Sequence, residues 1–129
     1  MRESITFHAI GTVHNNTDQP LRPDAFREVE SQIVLDPDLI AGLTGLESGQ
    51  RIMILFHFNR AGDYELLQHP RGDKTRPKRG VFALRSPRRP NGIGVTVVDL
   101  LTVESNILTV RGLDAINGTP VLDIKLEER

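Results

Sequence analysis

Cysteine is absent from the 129 residues, which removes disulfides, thiolate zinc sites and thiol nucleophiles together. A reducing, cytoplasmic setting fits that absence. No run of residues approaches the ~20 apolar positions of a membrane helix, so no membrane partner is expected. The opening MRESITFHAIGTV carries acidic and polar residues where a signal peptide would place its apolar stretch. Aromatics are scarce as well. Five Phe and one Tyr, several of them expected in the core, make a poor base-stacking platform and rank a simple single-strand binder last.

The composition that remains is globular, with 38% hydrophobic and 26% charged residues. A length of 129 residues suits one domain spanning 1-129. Net charge is only −1, yet eight of the 16 Lys and Arg lie between Arg71 and Arg89, opposed there by Asp73 alone. Positive charge gathered in one segment of a near-neutral chain points to an anionic ligand or a nucleic-acid backbone, against the plainer reading of a solvated basic loop.

Short β-branched runs between turn signals predict an all-β fold. The expected strands are Ile5 to Val13, Ser31 to Leu35, Arg51 to Phe58, Val81 to Leu84, Gly94 to Val103, Ile107 to Arg111 and Pro120 to Ile124. Ser105-Asn106 and Asn117-Gly118 stand at hairpin spacing and predict antiparallel pairing of neighbours. Asp36 as cap, Pro37 and the residues to Leu43 predict one short helix. Seven strands in so small a domain most simply close into a mostly antiparallel β-barrel. Two longer loops, Asn15 to Phe26 and Gln68 to Lys78, are rich in Pro, Asp and Arg.

The stretch RGVFALRSPRRPNGIG, Arg79 to Gly94, is the most unusual. Pro87 and Pro90 stiffen it, so Arg85, Arg88 and Arg89 need little further ordering to meet a carboxylate or phosphate. Asn91, Gly92 and Gly94 let backbone N–H groups approach a ligand. The Gly92-Ile93-Gly94 run is not a dinucleotide fingerprint, because a third glycine is missing and a strand follows instead of a helix. His8, His14, His57 and His69 are scattered without metal-ligand spacing, so no metal is expected. Asn59 and Arg60 are delivered to one rim by the end of a strand. Asp114 reads first as a turn cap, and Asp123, inside VLDIK, reads as a strand carboxylate in need of a basic partner from the Arg-rich segment.

These motifs resemble the TsaA-like family over nearly the whole chain: Ile10 to Val13, the strand entering Asn59-Arg60, GVFALRSPRRPNGIG and GLDAINGTPVLDIK. The resemblance implies a small β-barrel that binds S-adenosylmethionine (SAM) without a Rossmann fold and works as a homodimer, the cofactor lying near the subunit interface. Carried over by position, Asn59, Arg60, Arg85 and Val95 (through its backbone) contact SAM. Arg111, Gly112, Leu113 and Asp114 line the adenosine, and Arg22, Pro23 and Asp24 reach it from the early loop. Three departures stand out: Gly92 replaces the usual Pro, Asn59 the frequent His, and Leu126 the start of a Pro-Tyr pair. The extra C-terminal domain with which longer bacterial members engage tRNA is also expected to be missing.

The reading that follows is a SAM-dependent methyltransferase acting on an adenine amine in tRNA, beside the anticodon. Arg85 is expected on the carboxylate end of SAM, Lys78, Arg88 and Arg89 on RNA phosphates, and Asp114 is the candidate proton acceptor. The alternatives are a methyltransferase with a small-molecule substrate and a noncatalytic SAM-binding or RNA-binding barrel.

Overall fold

The computed structural model describes residues 2–128 apart from positions 20, 22 and 60, and at position 23 the backbone alone. Arg22, Arg60 and the Pro23 side chain, all expected at the cofactor, therefore lie outside the described residues. The strands are β1 Gly11–His14, β2 Glu30–Leu35, β3 Arg51–His57, β4 Leu67–Gln68, β5 Arg79–Gly80, β6 Ile93–Glu104, β7 Ile107–Arg111 and β8 Pro120–Leu126. Six of them close an antiparallel barrel in the order β1-β2-β7-β6-β3-β8, while β4 and β5 form a separate two-stranded ribbon.

Period-two alternation explains the wall. In β3, Ile52, Ile54 and Phe56 are buried while Arg51 and His57 face out. Val13, Ile33, Val98, Leu108, Val110 and Val121 complete the same core from the other strands. A close approach at Gly94 completes the packing: a Cβ there would stand 2.7 Å from both the Phe56 and Phe58 rings. Those rings meet edge to face with centroids 5.2 Å apart.

Two strands change phase. Leu101 is the extra residue where β6 shifts against β7, moving its inward set from Val98 and Leu100 to Val103. Leu122 does the same in β8, so that Ile124 rather than Asp123 follows Val121 onto the core. Asp123 is thereby turned outward, correcting the expectation of a buried carboxylate with an Arg partner. Its Oδ2 sits 3.1 Å from Lys125 Nζ, two residues along the same strand.

Other expectations need correcting. The first strand starts at Gly11, because Ile5 and Phe7 face solvent and residues 2–10 join no ladder. Val81 to Leu84 is not a barrel strand; Val81–Ala83 is a 3-10 turn closed by Leu84 N–H donating to Val81 O at 3.1 Å. Asn117-Gly118 makes no β7–β8 hairpin, since β6 and β3 lie between those strands. It feeds β8 toward β1, with Gly118 N–H donating to Val13 O at 2.8 Å. The Ser105-Asn106 hairpin joins β6 to β7 as expected, with Ser105 at φ 55°. The predicted helix is the 3-10 segment Pro37–Leu43, capped by Asp36, whose side chain accepts from Asp38 N–H.

Candidate functional site

Antiparallel pairing all round the barrel sorts its connections by end. The links from β1 to β2, from β7 to β8 and from β3 through the ribbon to β6 all open at one end. Every described residue expected to bind cofactor or substrate lies in those three links or on the strand ends that feed them.

At that end β6 outruns its neighbour. It pairs with β3 from Ile93 to Asp99, whereas β7 joins it only from Asp99 to Glu104. Residues 93–98 thus present an edge on the β7 side with no strand against it among the described residues, and an open edge leaves backbone N–H and C=O groups for other partners. Val95 lies on this edge, its side chain facing out.

Where β7 leaves β6, an open recess of about 250 Å³ is lined by Arg27, Arg51, Val97, Asp99, Arg111 and Gly112. Gly112 adopts φ 93°, a backbone conformation that favours glycine. Its N–H donates to Val29 O at 3.0 Å. That bond ties residues 111–114 to the 3-10 segment Pro23–Glu28, which carries the exposed Asp24 and is anchored by buried Phe26. The arginines are loosely held: Arg111 to Glu30 is 3.9 Å and Arg51 to Asp99 is 3.6 Å, both solvent-exposed pairs of little energetic weight. Arg27 and Arg51 were not among the sequence-derived candidates. Arg51 has the signature of an ordinary outward strand position, and only the β3–β6 register puts it beside Asp99.

Leu113 is fully buried in the core, so toward solvent this segment offers its backbone and not the leucine side chain. Asp114 follows, partly buried, and burial alone pushes its carboxyl above the ordinary value of 3.8. No described group donates a hydrogen bond to it, which sets it apart from the capping role that a strand-end Asp suggests.

The Arg-rich loop stands at the start of β6, next to the end of β3, with Phe58 N–H donating to Gly92 O at 2.6 Å. Asn59 is exposed there. Arg85 and Lys78 are exposed and form no ion pair among the described residues. Arg88 donates from Nε to Asp63 O at 2.9 Å and sits 3.5 Å from Glu65. Arg89 donates from one nitrogen to Leu84 O at 3.1 Å and Ser86 O at 3.2 Å, bracing its own loop. Of the three cations expected on phosphates, Lys78 is uncommitted, Arg88 is partly engaged and Arg89 is largely spent on the loop. Among the described residues no group of three or more His, Asp or Glu could hold a metal, and no helix is long and apolar enough to cross a membrane.

Residues 9–126 match the family model described as the tRNA-methyltransferase O N-terminal domain. A probable S-adenosyl-L-methionine-binding protein of Pyrococcus abyssi is 38% identical over 125 residues, covering 94% of this chain and 67% of that protein. The human tRNA (adenine(37)-N6)-methyltransferase is 47% identical over 88 residues, covering 64% of this chain and 19% of that one. The crystal structure of TrmO from Pseudomonas aeruginosa superposes with a TM-score of 0.77 at 31% identity, covering 98% of this chain and 57% of that one. A match over residues 9–126, with the fold shared at a TM-score of 0.77, places the chain in the tRNA-methyltransferase O N-terminal domain family.

Proposed function

We propose that this chain binds SAM on the open edge of β6 and, as a homodimer in the cytoplasm, methylates an adenine amine of tRNA. The observation that carries the reading is the junction where β7 stops at Arg111 while β6 continues to Ile93. The residues there fit the cofactor. Edge backbone groups around Val95 suit an adenine, Val97 supplies an apolar wall, and Gly112 permits close approach. Arg85, exposed and without an ion pair among the described residues, suits a carboxylate.

The names and activities of the relatives support the cofactor and the reaction class. The recess supports the dimer: at about 250 Å³ it falls below the ~300–1,000 Å³ common for small-molecule pockets, so a second chain would complete the enclosure. The exposed apolar side chains of Ile93 and Val95 on the same wall give that chain a surface to cover.

SAM, when bound, supplies an electrophilic methyl group on a sulfonium. The protein's task is to align the acceptor in line with it in a dry site. An adenine amine delocalises its lone pair into the ring, so a proton acceptor assists as the new bond forms. Asp114 takes that proton, its burial raising its basicity. Lys78 and the free side of Arg88 hold RNA phosphates, while Arg89 keeps the loop in shape.

Incubation of the purified chain with tRNA and methyl-labelled SAM tests the reading, with the product digested to nucleosides. Label on an adenosine amine is expected. A protein that binds SAM and transfers no label to tRNA would move the acceptor to a small molecule.

A further inference from the structure

The β4–β5 ribbon stands apart from the barrel sheet and exposes unusually apolar side chains: Phe82 is 79% exposed, Leu66 60% and Leu67 59%. Their positions are fixed. Leu67 pairs with Gly80, and Val81 N–H donates to Leu66 O at 2.8 Å, carrying the ribbon one step further. Val81 then buries itself almost completely, and the 3-10 turn Val81–Ala83 leaves the next side chain, Phe82, in solvent. A phenyl ring held on a short, anchored turn loses little freedom on binding.

The surroundings are cationic. Lys78, Arg79 and Arg85 are exposed within four residues of Phe82 and form no ion pair among the described residues. Glu65, two residues before β4, already has Arg88 at 3.5 Å. A second copy of this chain meeting the ribbon across a two-fold axis would bring these cations against their own kind, which charge disfavours. An RNA supplies both missing complements, phosphates for the cations and a π face for the ring.

We propose that Phe82 stacks on an unpaired base of the RNA substrate while Lys78 and Arg79 hold the phosphates beside it. The inference rests on the RNA-methylating reading and assigns part of substrate recognition to the barrel domain itself. Scarcity of aromatics does not weigh against it, since one ring positioned beside the reacting base gives register where a general single-strand binder needs a row of them.

The test compares wild type, Phe82→Ala and Phe82→Trp by anisotropy with a labelled anticodon stem-loop RNA. SAM titration and light scattering are run on each protein. Phe82→Ala is expected to weaken RNA affinity about tenfold, within the range of a single base–aromatic stack. Its salt slope, SAM affinity and mass should stay unchanged, and Phe82→Trp should retain affinity. Wild-type binding with Phe82→Ala equally tight would overturn the stacking role alone. A change of mass in Phe82→Ala would overturn it in favour of a subunit contact. A wild type that binds SAM but no RNA would overturn both the stacking role and the RNA reading beneath it.

Discussion

Arg111 faces Asp99 at the last rung of the β6–β7 ladder, and from that rung to Ile93 strand β6 runs on with β3 as its one partner strand among the described residues. At about 3.3 Å per residue this overhang is roughly 20 Å long. One end of it meets the Arg111–Asp114 segment and the other meets the Arg-rich loop. The two halves of the expected cofactor site are therefore joined by a single exposed strand edge.

A charge placed on that edge should separate assembly from folding. Val97→Glu, on an outward position beside the recess, is expected to shift the light-scattering mass from dimer to monomer and to weaken SAM binding at least tenfold. Its thermal midpoint without ligand should stay close to wild type, as for most surface substitutions. A protein that remains dimeric with unchanged SAM affinity would place the interface and the cofactor elsewhere.

SAM at a hundredfold excess over its dissociation constant should stabilise the native chain by about 2.7 kcal/mol. Arg85→Ala, which removes an exposed side chain with no ion pair among the described residues, should lower that gain without altering the unliganded melt. Differential scanning fluorimetry across a SAM series measures both quantities. Identical SAM responses in the two proteins would remove Arg85 from the site.

Asp114 makes a pH prediction with a definite sign. Burial raises its folded-state pKa above the ordinary 3.8, so the folded chain keeps a proton that the unfolded chain has lost. The associated stability is complete below 3.8 and disappears as pH rises through the raised value. Asp114→Asn lacks this loss, so its melting temperature should gain on wild type with rising pH across that window and hold a constant lead above it. Methyl transfer should move oppositely in wild type, increasing as the carboxyl ionises, and Asp114→Asn should lose most of it. A stability gap independent of pH would contradict the burial argument.

Two cations of the basic segment should behave differently. Lys78→Ala is expected to reduce the log–log salt slope of tRNA binding by about 0.7–0.9, the loss of one phosphate contact, while leaving the melt unchanged. Arg89→Ala removes hydrogen bonds to Leu84 O and Ser86 O and should instead lower stability by about 1 kcal/mol. Equal changes in salt slope from both substitutions would show that Arg89 also reaches the phosphates.

The sequence determined much of this protein by itself. Alternating residues such as Ile52, Ile54 and Phe56 specify a half-buried strand locally, Ser105-Asn106 specifies its hairpin, and Asp36-Pro37 starts its helical segment, because each signal spans a few neighbouring residues. The composition of the Arg79 to Gly94 loop and the GLDAINGTP run also marked the candidate site. Tertiary structure decided what depends on distant partners. The extra residues Leu101 and Leu122 follow from registers against β7 and β3, and the second of them turns Asp123 outward. Val81–Ala83 bends into a turn where Val81 N–H is held by Leu66 O, fifteen positions earlier, and the Val81 side chain is buried. The overhang of β6 past Arg111 reflects where two strands stop relative to each other. No single segment carries that information, and the proposed cofactor edge exists only because of it.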